Sequence, residues 1–144
     1  MNQMEILTYK WTNNDVLFQH AELITKDDSI DWEGMIQHCK DNKLQWLALP
    51  QIGISKSGFV AFFFGQRKVI INPIIVKKTW TIVKSEELCA SIPNETFTID
   101  RAYMVLADVY DIEFKKHTMF IPYPHSIVFQ HEYDHLNGIL LNSK

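Results

Sequence analysis

By its apolar and polar positions, the chain falls into a helical stretch, a long middle of strand-like runs, and a second helical stretch near its end. Over residues 30–40 apolar side chains recur at helical spacing, at Trp32, Met35, Ile36 and Cys39, which predicts a helix. Ser29 is placed to cap it, Asp31 and Glu33 suit its first turn, and Gly34 weakens it. Strand-like runs follow at 59–64, 68–72, 80–83, 102–109 and 112–114, with a tight turn expected at Tyr110 and Asp111. The first run, bounded by Gly58 and Gly65, is the longest purely apolar one; it predicts a buried strand and is far too short to span a membrane. Residues 85–93 do not alternate and end in Pro93, so they read as a loop. Pro122 and Pro124 then introduce a helix that Gly138 stops, with Ile127, Val128, Phe129, Tyr133 and Leu136 apolar enough to bury most of its sides. Strands grouped between two helices predict an α+β fold, with an antiparallel or mixed sheet folded around the second helix.

Composition narrows the class. A chain of 144 residues can build a core without staples, and no repeat or flexible linker divides it, so residues 1–144 are expected to form one domain. A net charge of -3 and a pI near 6.0 leave no basic footprint, which argues against a nucleic-acid partner. Residues 1–10 lack the layout of a secretory signal, so the expectation is a soluble, cytoplasmic monomer with no membrane partner; a viral or organellar setting is also compatible. In that setting Cys39 and Cys89 stay reduced. Cys39 fits a buried thiol on the first helix, whereas Cys89 lies in the expected loop, where a thiolate can meet a metal. His20, His38, His117 and His125 read as ordinary surface or core histidines.

The candidate chemistry sits in His131-Glu132-Tyr133-Asp134-His135. On a helix the two histidines share one face about 6 Å apart along the axis, a spacing that lets both imidazoles hold one divalent metal with a carboxylate beside them. With six His in the chain, such a pattern would arise by chance roughly once in seventy shuffled sequences, so it needs support from context. Val128, His131 and His135 fall on one stripe, and buried imidazoles need partners. None of the nine residues after His135 is a His, Cys, Asp or Glu, so a third ligand has to come from upstream. Cys89 would complete a Cys-His-His set with an open fourth position, the arrangement of catalytic rather than structural sites. Gln51, polar among apolar neighbours and next to Pro50, is either a turn residue or, beside such a metal, an amide donor to an oxyanion.

Residues 47–51 (LALPQ), 86–93 (EELCASIP) and 131–138 (HEYDHLNG), in this order and at these separations, resemble the three signature motifs of peptide deformylases, GxGLAAPQ, EGCLS and QHExDH. Gln130 fits the position before the histidine motif, Asn72 and Pro73 fit the family's INP strand, and Arg101 fits a recurrent arginine; the likeness runs from about Leu44 to Leu140. The resemblance implies a peptide-deformylase-like sheet fold around a central metal-binding helix. It implies a metal-dependent hydrolase that removes the formyl group from N-terminal formyl-methionine of nascent polypeptides. Cys89, His131 and His135 would bind the metal, natively Fe(II), with Zn, Ni or Co as alternatives. Glu132 would be the general acid/base for a metal-bound hydroxide, and Gln51 with the backbone N–H of Ala90 would hold the oxyanion. Gln45, Trp46, Glu87 and Val128 would meet the substrate, and Glu87 and Arg101 are expected to pair and brace the Cys89 segment.

The chain also departs from the pattern. Leu44 and Trp46 stand where the first motif has glycines, and Leu88 stands where the second has one. If that last position needs positive φ, Leu88 carries about 1–2 kcal/mol of strain. The chain stops six residues after Gly138, so the further helix with which many bacterial members dock on the ribosome is not expected, although contact with nascent chains stays open. Two readings stand beside turnover: a metallopeptidase with an upstream ligand, and a catalytically weak relative that binds formyl-methionyl or other peptide termini without cleaving them.

Overall fold

Asp31, rather than Ser29, starts the first helix. The computed structural model describes residues 15–89 and 91–141, and in it α1 spans Trp32–Asp41 with the Asp31 side chain accepting a hydrogen bond from Gly34 N at 2.9 Å. Gly34 has a purpose in this cap: a Cβ there would collide with the Asp31 carboxylate. The cost of glycine inside the helix is offset by the donor that Asp31 satisfies.

Seven strands follow: β1 Trp46–Ala48, β2 Gly58–Phe63, β3 Gln66–Lys78, β4 Ile82–Cys89, β5 Ile92–Ala102, β6 Val105–Tyr110 and β7 Lys116–Ile121. Five form an antiparallel sheet in the order β1-β2-β3-β6-β7, and β4 and β5 form a separate antiparallel pair. The second helix, α2, spans His125–Leu136. It lies on one face of the larger sheet, where Phe59, Ala61, Phe63, Ala107 and Phe129 share a core. On the other face, α1 packs Met35 and Cys39 against Leu47, Val60 and Ile71. This sandwiching explains the unbroken apolar run: β2 is buried from both sides, so alternation has nothing solvated to show. A third cluster, including Leu17, Ile92, Ile99 and Leu140, seats the β4–β5 pair against the rest.

Phe59 is fully buried and meets Phe129 edge-on, with ring centroids 5.5 Å apart. Phe59→Ala is expected to cost about 3–5 kcal/mol of stability, seen as a lower urea midpoint at unchanged slope. A loss below about 1 kcal/mol would mean that α2 is not anchored through this contact.

Three expectations from sequence need correction. Residues 85–93 are not a loop: β4 runs through Cys89, and β5 begins at Ile92. Glu86 and Glu87 disguise the strand, yet burial alternates cleanly, with Glu87 and Cys89 inward and Glu86 and Leu88 outward. The run predicted at 102–109 is the end of β5 plus β6, parted at Tyr103 and Met104, and 112–114 is not a strand. The turn is not a tight one at Tyr110 and Asp111. Residues 111–115 form a wider connection held by Asp111 Oδ1, which accepts from Glu113 N at 2.8 Å and Lys115 N at 3.0 Å. Among the described residues no helix is long and apolar enough to cross a membrane.

Candidate metal centre

α2 ends as its sequence suggests. Gly138 has φ 73°, its N–H reaches His135 O at 3.2 Å, and Ile139 N reaches Asp134 O at 2.8 Å, the paired bonds of a left-handed helix stop. The middle of the helix is tied down by Gln130. Its side-chain amide accepts from Ala102 N at 3.0 Å and donates to Ala102 O at 2.8 Å, which clamps α2 to the last residue of β5. These anchors set the rotation of the helix, and so the direction of His131 and His135.

Cys89, His131 and His135 converge, each buried, with one donor atom apiece all within 4.8 Å of one another. Cys89 Sγ lies 3.2 Å from His135 Nε2. On the far side of the other imidazole, His131 Nδ1 donates to Glu87 Oε1 at 2.8 Å. That bond fixes the tautomer and leaves Nε2 with its lone pair turned to the site, as ligating histidines usually have it. Glu87 is itself gripped by Arg101, whose Nε and Nη2 donate to its two oxygens at 2.8 and 2.6 Å, while Nη1 donates to Asp134. The expected Glu87–Arg101 pair is therefore present, and Asp134 extends it. Burial pushes the Glu87 carboxyl up, but the bonds from Arg101 and His131 outweigh this and bring its pKa to about 2.

Glu132 has the opposite surroundings. It is fully buried, and among the described residues neither carboxylate oxygen has a hydrogen-bond partner. Burial drives its pKa well above the ordinary carboxylate range, and the Arg101 charge only partly opposes this. Its Oε1 is 3.9 Å from His131 Nε2. Burial likewise holds the Cys89 thiol up, at about 11, and keeps the His135 pKa well below that of a free imidazole, so the ring is neutral. Among the described residues His135 Nδ1, on the ring side away from Cys89, also has no partner. Buried polar groups left unpaired are costly, and a divalent cation among a thiol, two imidazoles and a carboxylate would compensate the Glu132 carboxylate. The residues thus fit a metal. Ligation needs the thiolate, so affinity for the ion rises with pH.

Gln51 sits in a 3-10 turn, Leu49–Ile52, directly after β1. Its Oε1 accepts from Ala48 N at 3.0 Å, which aims Nε2 at Ser91 Oγ, 3.3 Å away, and Cys89 Sγ, 3.6 Å away. The amide N–H₂ therefore points into the site. Ala90 lies outside the described residues.

Beside His131 opens a groove of about 270 Å³, walled by Trp46, Ser85, Leu88, Ile127 and Val128. Trp46 narrows it, with its ring centroid 6.3 Å from that of His131. Of the residues expected to meet substrate, Trp46, Glu87 and Val128 line the groove; Gln45 is exposed just before β1 and does not. Leu88 has an ordinary strand backbone, and none of Leu44, Trp46 and Leu88 has positive φ, so the expected strain is absent. Asp134 and Ser91 were not singled out in sequence; the one available signal was Asp134's place three residues after His131, on a neighbouring face of the helix.

A family model described as polypeptide deformylase matches residues 4–144. The chain is 41% identical over 99 residues to a peptide deformylase of Karelsulcia muelleri, a match covering 65% of this chain and 52% of that protein, about half its length. It is 34% identical over 131 residues to a peptide deformylase of Thermotoga neapolitana, covering 88% of this chain and 79% of that one. Its structure is similar to that of a peptide deformylase from Thermotoga maritima, with a TM-score of 0.92 at 28% identity, over 100% of this chain and 98% of the other.

Proposed function

The chain belongs to the polypeptide deformylase family, and on that premise we propose how its own residues carry out the family's reaction. The activity is that of a metal-dependent peptide deformylase, which removes the N-formyl group from nascent chains, and the substrate is a peptide. One observation carries the assignment of residues: Cys89, His131 and His135 meet beside Glu132, whose carboxylate has no partner among the described residues.

Cys89, His131 and His135 would hold the ion. Once bound, a divalent cation would supply Lewis-acid activation of water and of the formyl carbonyl at neutral pH. Glu132, with its raised pKa, takes the proton of the attacking water and passes it to the departing amine. Gln51 Nε2 donates to the oxygen on which charge develops, as does the backbone N–H of Ala90. Trp46, Leu88, Ile127 and Val128 enclose the unbranched, apolar methionine side chain. Glu87 acts from behind, by orienting His131, rather than by touching substrate. A mixed thiolate–imidazole set takes Fe(II), Zn, Ni or Co, with Fe(II) as the proposed resident ion. The proposed unit of function is a monomeric domain over residues 1–144, acting in the cytoplasm on a formyl-methionyl peptide.

Formate release from a formyl-Met-Ala peptide by anaerobically prepared, Fe(II)- or Ni(II)-loaded protein tests this reading. No formate from protein with one equivalent of ion bound would overturn it. Gln51→Leu is expected to lower kcat by about 10²–10³-fold with little change in KM. An equal rise in KM at unchanged kcat would instead make Gln51 a ground-state contact.

A further inference from the structure

A second cavity opens along the first half of β3. That strand changes partners along its length. Residues 66–71 pair with β2, and pairing with β6 begins only at Ile71, with a register shift before Ile74 where Asn72 adopts φ 48°. β6 ends at Tyr110, so the first five residues of β3 have no β6 partner and the sheet parts. The gap opens into a cavity of about 600 Å³ between β3, the β6–β7 hairpin and α1. It shares no lining residue with the groove beside His131.

The lining has two characters. Ile36, Val69, Ile70, Val109, Tyr110 and Met119 make an apolar floor. Lys68 and Arg67 also line it, from opposite faces of β3, and among the described residues neither has a carboxylate within ion-pair distance. Arg67 is held in place by donating to Leu44 O at 3.1 Å and lying over the Phe62 ring. Asp111 is the sole acidic lining residue, and it is already engaged. Its Oδ1 accepts two backbone N–H groups and its Oδ2 lies 2.8 Å from His117 Nε2. The cavity is thus locally cationic in a chain whose net charge is -3. Its volume and its mostly apolar lining with a few polar groups are those of small-molecule sites.

We propose that this cavity binds a small amphipathic carboxylate, with its hydrocarbon body on the floor between β3 and the β6–β7 hairpin and its head group on Lys68. A phosphorylated or polyanionic ligand would need more cations than the two present. An uncharged hydrocarbon would leave Lys68 without a counter-charge. The inference does not depend on the reaction proposed for the metal centre.

Decanoate is the probe, titrated into zinc-loaded protein and followed by the amide and methyl NMR signals of Val69, Tyr110 and Met119. Saturating acetohydroxamate is included because a carboxylate can also ligate the metal. Saturable shifts at those three residues are expected, persisting with the hydroxamate present. Affinity should fall by about tenfold or more for decanol in place of decanoate and for Lys68→Glu. A filling variant, Ile112→Trp, should weaken binding without removing charge, and circular dichroism checks that both variants fold. No saturable shift up to several millimolar, equal affinity in the Lys68→Glu variant, or loss of the shifts on adding hydroxamate would each overturn the proposal.

Discussion

Glu132→Gln is expected to reduce formate release by about 10²–10⁴-fold while the protein still binds one divalent ion. The reason lies in two facts about this carboxyl: it is fully buried beside the Cys-His-His cluster, and among the described residues nothing hydrogen-bonds it. A structural carboxylate would be paired, because an unpaired buried charge is expensive. Its retention without a partner marks a group whose partner is the reacting system. The amide keeps the shape and loses the capacity to carry a proton, so turnover should fall and metal content should not. Stability of the metal-free variant should be unchanged or slightly higher, since a buried ionisable group has been removed. A variant that keeps more than about a tenth of the rate would show that the proton travels another way.

Breaking the buried ion pair behind His131 is expected to have the second large effect, on stability and metal affinity together. Arg101→Met leaves Glu87 without its bidentate partner and removes the contact to Asp134. Removing one member of a buried pair typically costs about 3–5 kcal/mol, most of it the penalty on the charge left behind. The double variant Glu87→Leu with Arg101→Met should therefore be more stable than Arg101→Met alone, a non-additivity readable from urea melts of the metal-free proteins. Glu87→Gln probes the other consequence. It weakens the acceptor that fixes His131 Nδ1–H, and loss of such a partner lowers metal affinity by about 10–100-fold. Chelator competition measures this, and wild-type affinity in Glu87→Gln would show that the His131 ring is oriented by packing alone.

Much of the site was legible because its signals are local. Two histidines four apart, prolines before and a glycine after, announce a helix and the face it presents, and the structure places that helix at His125–Leu136. Gln51 could be singled out from its setting and Cys89 from the order of the motifs, although the loop expected around Cys89 is a strand. The β4–β5 hairpin could not. Glu86, Glu87 and Pro93 are poor strand formers, and a buried glutamate in a strand makes sense only once Arg101 is known to stand on the same face of the pair. The cap at Asp31 and the wide connection after Tyr110 were missed for a similar reason. In each, an aspartate side chain replaces backbone partners, and several nearby residues could equally have served. Of the glycine replacements, Leu88 misled in the other direction, being simply an outward strand residue, whereas Trp46 is a groove wall, one of the two places its bulk allowed.

By itself, then, the sequence determined the candidate donor residues, the helix that carries two of them and the carboxylate between them, since helical spacing and residue chemistry are set over a few positions. Only the tertiary structure decided which imidazole nitrogen faces the site, which carboxylate is paired and which is bare, and how wide the groove is. Those properties rest on contacts between positions far apart in the chain. Arg101 and Asp134 are 33 residues apart, His131 and Glu87 44, and Cys89 and His135 46. Protonation and tautomer follow from desolvation and from the nearest partner in space, and neither is fixed until the strands and α2 have closed around them.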